Sequence, residues 1–184
     1  MSTLKDQTEL GGVFGESVSA RKVNGRLIFK NRPKRKAAKA VGLAATNQEK
    51  FQEATIYASN LTDESKEIYS SGVKGKMRSA FVVAVSDYLN APRVGPIYTS
   101  KYKGAVEDAI VVKAKDDFMV TSVTVIITDA AGNELEQGEA VQNLQKIFMW
   151  TYEATVANPS LPGTKITAIA FDRAGNSTEF EKVL

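Results

Sequence analysis

The feature that most constrains this chain is a turn formula used twice, Asp129-Ala-Ala-Gly-Asn133 and Asp172-Arg-Ala-Gly-Asn176. An Asp at the first position bonds backbone amides ahead of it, and the glycine supplies the left-handed residue of a hairpin closed by a bulge. The segments around these turns alternate with period two, the side-chain repeat of a strand. Val123, Val125 and Ile127 alternate with Thr124, Ile126 and Thr128. Phe148, Trp150, Tyr152 and Ala154 make a second such face, and Ile169 with Phe171 a third. The pattern predicts strands at Pro96–Ser100, Ala109–Ala114, Val120–Thr128, Glu134–Gln142, Ile147–Thr155, Thr164–Phe171 and Ser177–Val183, with the lone Trp150 in their core.

Seven short strands over about 90 residues suit an Ig-like sandwich, whose usual size is roughly 100 residues. The first half reads differently. Asn24-Gly25 lies between two β-prone runs and suits a type I′ hairpin turn; Leu27 and Phe29 share one face, and Pro33 ends the second strand. A two-stranded ribbon is marginal in water, so it needs a partner surface. Three helices follow. Thr46-Asn-Gln-Glu49 fits a capping box and opens a helix with Phe51, Ala54, Ile56 and Ala58, ending near Ser59. Thr62, with Asp63 and Glu64 behind it, opens a second that closes at Gly72. The third carries Met77, Ala80, Phe81, Ala84, Val85, Tyr88 and Leu89 as one apolar stripe facing a core. The expected fold is therefore α+β in two parts. Residues 1–93 form a basic hairpin, strap and helical domain, and residues 94–184 an all-β Ig-like sandwich, joined at Asn90-Ala-Pro-Arg-Val-Gly-Pro96.

Charge divides along the same line. Residues 1–93 hold 16 Lys+Arg against 9 Asp+Glu, and residues 94–184 hold 8 against 12. No acid lies between Glu16 and Glu49, while Arg21, Lys22, Arg26, Lys30, Arg32, Lys34, Arg35, Lys36 and Lys39 all fall there. These nine are the candidate contacts to a partner or to nucleic acid. Such a cluster has the charge density to bind a phosphate backbone in a salt-dependent way. It has no aromatic between Phe29 and Phe51 on which a base would stack. The alternative is an assembly strap lying on an acidic surface such as the chain's own β-half, a head-to-tail contact that gives rings or filaments.

The chain has no Cys and no His. That removes Ser-His-Asp and Cys-His nucleophile systems, thiolate and imidazole metal sites, and disulfides. Chemistry built on carboxylates alone survives, either acid pairs or hard metals held by oxygen. The Asp-rich turns lack the ligand spacing of an EF-hand, so turn chemistry is the expectation for them. Asp116-Asp117 could bind a hard cation or form an acid pair; adjacent strand residues point to opposite faces, so a solvated loop is expected there. Gly75-Lys-Met-Arg-Ser79 lacks the glycine spacing of a phosphate loop. The expectation is no enzyme and no cofactor. No apolar run reaches the ~20 residues of a membrane span. The start at Met1 shows no secretory signal, so a cytoplasmic setting or a place in a virion-like assembly is expected.

Gly15, Arg21, Gly25, Phe29 and Pro33 follow a G-x-V…R-x-x-G…R-P pattern that resembles the N-terminus of an uncharacterised bacterial family, a domain of unknown function. The resemblance covers roughly residues 10–60, departs from that family at Lys36–Phe51, and brings no activity with it. The β-half is similar to bacterial Ig-like domains ending AxDxAGN, here Ala170 to Asn176. That resemblance implies surface display on bacterial or phage particles, a fold analogy and not a function. The leading expectation is a non-enzymatic structural or assembly protein that self-associates through its N-terminal region; the alternative is a nucleic-acid-binding protein using Arg21 to Lys39.

Overall fold

The computed structural model describes residues 12–14, 18–23, 26–31 and 43–184. Its internal contacts separate two units, Met1–Val41 and Gly42–Leu184. In the first, β1 (Gly12–Phe14), β2 (Val18–Val23) and β3 (Arg26–Asn31) form an antiparallel sheet in that order. Val23 pairs with Arg26, so Asn24-Gly25 alone separates β2 from β3; the turn itself lies outside the described residues. The expected two-stranded ribbon has a third member. β1 pairs Gly12 with Ala20 and so supplies a second ladder to β2, which makes Ala20, buried, the centre of the sheet. Leu27 and Phe29, two apart on β3, are exposed.

The second unit opens with α1 (Leu43–Ser59), α2 (Asp63–Ser70) and α3 (Ala80–Leu89). The first helix begins three residues before Thr46, because Ala44 and Ala45 are strong helix formers and carry the helix back past the capping box. Thr62 does cap α2: it is extended, at φ −64° and ψ 160°, and its side chain accepts a hydrogen bond from the Ser65 amide at 3.2 Å. Ser79 caps α3 in the same way, accepting from the Val82 amide at 3.3 Å. That leaves Met77 ahead of the helix. The apolar stripe is also rotated from the expected one. Val83, Ala84 and Asp87 are the buried residues of α3, while Phe81 and Leu89 are exposed. An acid holds the centre of the buried face because α2 brings Tyr69 to it as a donor.

Eight strands follow: β4 (Arg93–Lys101), β5 (Ala109–Lys115), β6 (Val120–Thr128), β7 (Glu134–Glu139), β8 (Val141–Gln142), β9 (Met149–Glu153), β10 (Lys165–Asp172) and β11 (Ser177–Val183). They make two antiparallel four-stranded sheets, ordered β11-β10-β6-β7 and β4-β5-β9-β8. The molecule is thus mixed α+β. The predicted strand Glu134–Gln142 is two strands, since the chain changes sheets at Ala140: β7 pairs with β6, and β8 with β9. Pro96 falls where the β4–β5 register slips between Val94 and Ile97, so its missing N–H interrupts no ladder bond.

The main core lies between the sheets. It holds Ile110, Val112 and Ala114 of β5, Val123, Val125 and Ile127 of β6, Trp150 and Tyr152 of β9, and Ile166, Ala168 and Ala170 of β10. Each fully buried Val or Ile contributes about 1.5–3 kcal/mol. Ile169 and Phe171 are half-buried on the opposite face of β10, because the inward set is the even-numbered one. Phe148 stands just ahead of β9 and is exposed, so the inward face there begins at Trp150. Both Asp-Gly turns form as the sequence suggests. Asp129 Oδ1 accepts from the amides of Ala131 and Asn133, each at 2.8 Å, and Asp172 Oδ1 accepts from the Asn176 amide at 2.7 Å. Gly132 and Gly175 take φ of +88° and +94°.

Candidate functional site

Of the nine basic candidates, Arg21 and Lys22 lie in β2, opposite Ile28 and Leu27. Arg26 and Lys30 are exposed on β3, opposite Val23 and Ser19. Arg32, Lys34, Arg35, Lys36 and Lys39 lie outside the described residues.

A second feature sits where the helices meet one end of the sheets. Tyr57 of α1 meets Tyr69 of α2 and Tyr88 of α3 there, and Tyr69 packs on Phe118, from the loop joining β5 to β6. The Tyr69 and Phe118 ring centroids are 4.8 Å apart, and those of Tyr57 and Tyr88 5.3 Å. Arg173, in the turn between β10 and β11, sets its guanidinium 6.0 Å from the Tyr69 ring centroid. Asn176 of the same turn fastens α3 directly. Its Nδ2 donates to the carbonyls of Asp87 and Tyr88 at 3.1 and 3.3 Å and to Asp172 Oδ2 at 2.7 Å.

Three carboxylates converge at this seam. One oxygen from each of Asp87, Asp116 and Asp172 lies within 4.8 Å of the others. Asp87 has no solvent exposure, Asp172 is buried and Asp116 half-buried. Asp87 Oδ2 accepts from the Tyr69 hydroxyl at 2.7 Å, and that hydroxyl lies 2.8 Å from the hydroxyl of Tyr57. With Tyr69's proton committed to Asp87, the Tyr57 hydroxyl is the donor of that pair. Asp87 Oδ1 is sealed from solvent and receives no donor among the described residues. Burial pushes the Asp87 carboxyl up to about 7; the Tyr69 hydrogen bond acts against this, and the neighbouring Asp172 and Asp116 add to it. Burial likewise drives the Tyr69 phenol far upward, reinforced by its bonds to Tyr57 and Asp87.

Sequence reasoning missed this cluster. Asp117 is exposed, as expected of a loop, but Asp116 turns inward, where its Oδ2 accepts the amides of Phe118 and Met119, both at 3.2 Å. Asp172 had a sufficient role in its turn. The signal that was present is Asp87, a single acid inside the apolar helix Ala80–Leu89.

The remaining surface feature is apolar. In the loop between β8 and β9, Leu144 is 90% exposed, with Ile147 and Phe148 exposed beside it, and Val141 of β8 is 74% exposed. Ile147 and Phe148 line a groove of about 460 Å³ with Met119, Phe118 and Trp150, whose indole N–H is buried without an acceptor among the described residues.

An α+β chain with two four-stranded antiparallel sheets and a carboxylate seam under three helices is the class these observations define. No family model matches the sequence, and no curated protein does. Among solved structures, the chain is similar to an engineered protein from the Northeast Structural Genomics Consortium, at 21% identity and a TM-score of 0.35. The match takes in 50% of this chain and 19% of that one. No helix among the described residues is long and apolar enough to cross a membrane.

Proposed function

We propose that this is a non-enzymatic structural or assembly protein, bacterial or phage-derived. Its Ig-like sandwich is displayed or docked on a neighbour, and its N-terminal region makes contacts between copies. The observation that carries this reading is the apolar surface of β8 and the loop after it, which leaves Val141 of β8 and Leu144, Ile147 and Phe148 of the loop in water beside a groove lined by Trp150. Large apolar side chains grouped on a surface mark interaction sites. The strand orders support an Ig-like assignment: β4-β5-β9-β8 corresponds to A-B-E-D, and β11-β10-β6-β7 to G-F-C with one added strand. The absence of His and Cys supports a role without catalysis.

Size-exclusion chromatography with light scattering tests it. Wild-type protein runs as an oligomer at tens of micromolar, and Leu144→Asp with Ile147→Asp shifts it toward monomer. A wild-type monomer at every concentration and salt sinks the reading. A second reading, nucleic-acid binding, rests on the acid-free run of nine bases from Arg21 to Lys39. It requires affinity that falls steeply with salt and a shallower slope when Lys34, Arg35 and Lys36 become Ala.

A further inference from the structure

We propose that Asp87, Asp116 and Asp172 bind one hard divalent cation of the Ca2+ class, which clamps α3 to the β5–β6 loop and the β10–β11 turn. The inference is independent of the assembly reading, since it concerns how the helices are held to the sheets. Oxygens bound to one Ca2+ at about 2.3–2.6 Å stand at most about 5 Å apart. The three carboxylate oxygens, all within 4.8 Å of one another, meet that limit.

The second observation is Asp87 itself. Its Oδ2 accepts from Tyr69, and its Oδ1, buried and without a donor among the described residues, is the oxygen left to serve as a ligand. An ionised oxygen sealed from water without a partner is strongly disfavoured, and a cation is the partner this one lacks. The other two carboxylates are anchored by their turns. Asp116 Oδ2 is fixed by two loop amides, and both Asp172 oxygens accept from Asn176. Outer bonds of this kind orient ligands toward a metal.

Charge points the same way. The three acids lie at the C-terminal, negative end of α3. Neither ion pair among the described residues includes any of them, and Arg173 is turned to the Tyr69 ring and Ser65 Oγ. Burial and mutual repulsion already raise the Asp87 carboxyl, the electrostatic penalty a dication removes. An all-oxygen set selects hard ions, and Ca2+ tolerates irregular geometry and sheds water more readily than Mg2+. Three carboxylates leave positions on a six- to eight-coordinate ion for water.

Calorimetry and thermal melts on the chelator-treated full chain at pH 7.5, titrated with CaCl2 and separately with MgCl2, test this. Tb3+ luminescence sensitised by Tyr69 serves as the local probe. The expected result is one Ca2+ per chain, bound more tightly than Mg2+. The melting temperature should rise by roughly 5–10 °C at a hundredfold excess over the Kd. Asp116→Asn, at the least buried ligand, weakens Ca2+ at least tenfold. Asp129→Asn, in the sister turn outside the cluster, leaves it unchanged. If Asp116→Asn fails to fold by circular dichroism, Ca2+ displacement of a single wild-type Tb3+ decides. No response to about 10 mM Ca2+, above the weakest Ca2+ modules, overturns the proposal, as does equal binding by wild type and a folded Asp116→Asn. Melting that follows pH and ignores the cation identifies a shared proton between Asp87 and Asp116, and also overturns it.

Discussion

Glu136 lies on the inward side of β7, 7% exposed, where a carboxylate persists only if it is well supplied with donors. Its Oε2 accepts from the Tyr152 hydroxyl at 2.8 Å, from the Thr155 amide and hydroxyl at 2.7 Å each, and from the Val156 amide at 3.2 Å. One oxygen thus ties the segment after β9 to the opposite sheet. Glu136→Ala strands all four donors. Hydrogen bonds to a charged group contribute about 1.5–3 kcal/mol each, but the loss is not additive. Thr155 and Val156 are exposed and regain water, whereas Tyr152 is buried and does not. The expected loss is about 3–5 kcal/mol. Glu136→Gln keeps an amide oxygen for the same donors and gives up the charge, for a loss of about 1–2 kcal/mol. Urea denaturation followed by Trp150 fluorescence measures both, with the m-value held constant as the check on a common unfolded state. Burial, then the bond and charge of Glu136, raises the Tyr152 phenol to about 12. Absorbance titration of Glu136→Gln should therefore find that phenol moved back toward its ordinary value, with burial still holding it above. An alanine variant within about 1 kcal/mol of wild type, or a glutamine variant as damaged as alanine, refutes the reasoning.

Two further outcomes are expected. In Gly72→Ala the new Cβ would stand 2.7 Å from the Phe118 ring and 2.9 Å from Val83 Cγ1, so the helices must lift from the loop; denaturation should show a loss of about 1–3 kcal/mol. Asp87 carries a folded pKa above its unfolded one, so the folded state keeps a proton that the unfolded state gives up. The stability this provides is complete below about pH 4 and lost as pH rises through about 7. Chelated wild-type protein should therefore melt lower at pH 8 than at pH 5.5, and Asp87→Asn, facing Tyr69, Asp116 and Asp172, should flatten that difference.

The β-half was legible because its local signals agree. Val120–Thr128 alternates cleanly and runs into the Asp129–Asn133 turn, and the Asp172–Asn176 turn leads into Ser177–Val183; in both turns Asp and Gly do what their chemistry requires. The sheet change at Ala140 was not legible, since a strand that crosses between sheets keeps its alternation. The face of α3 was misjudged because ranking by apolarity puts Phe81 inside and Asp87 outside, and the decisive partner, Tyr69, lies on another helix. The carboxylate cluster was hidden for a related reason. Asp87, Asp116 and Asp172 are far apart in the chain, and Asp116 and Asp172 each have an adequate local explanation in their turns. The strap from Arg32 to Lys39, so prominent in the sequence, lies outside the described residues.

The side chain of Asn176 closes the last turn of a helix that ended 87 residues earlier, through carbonyls 89 and 88 positions back. A ribosome making this protein therefore releases α3 long before the group that completes it has been synthesised. Until the β10–β11 hairpin is made, α3 lacks the Asn176 side chain that bonds its last carbonyls and the Asp172 carboxylate that stands beside Asp87. Closing so long a loop costs only a little more entropy than closing a short one, but contacts this distant in sequence slow folding. Any message or protease cut that stops the chain short of residue 176 thus damages the molecule at its opposite, helical side, far from the missing residues in sequence and beside them in space.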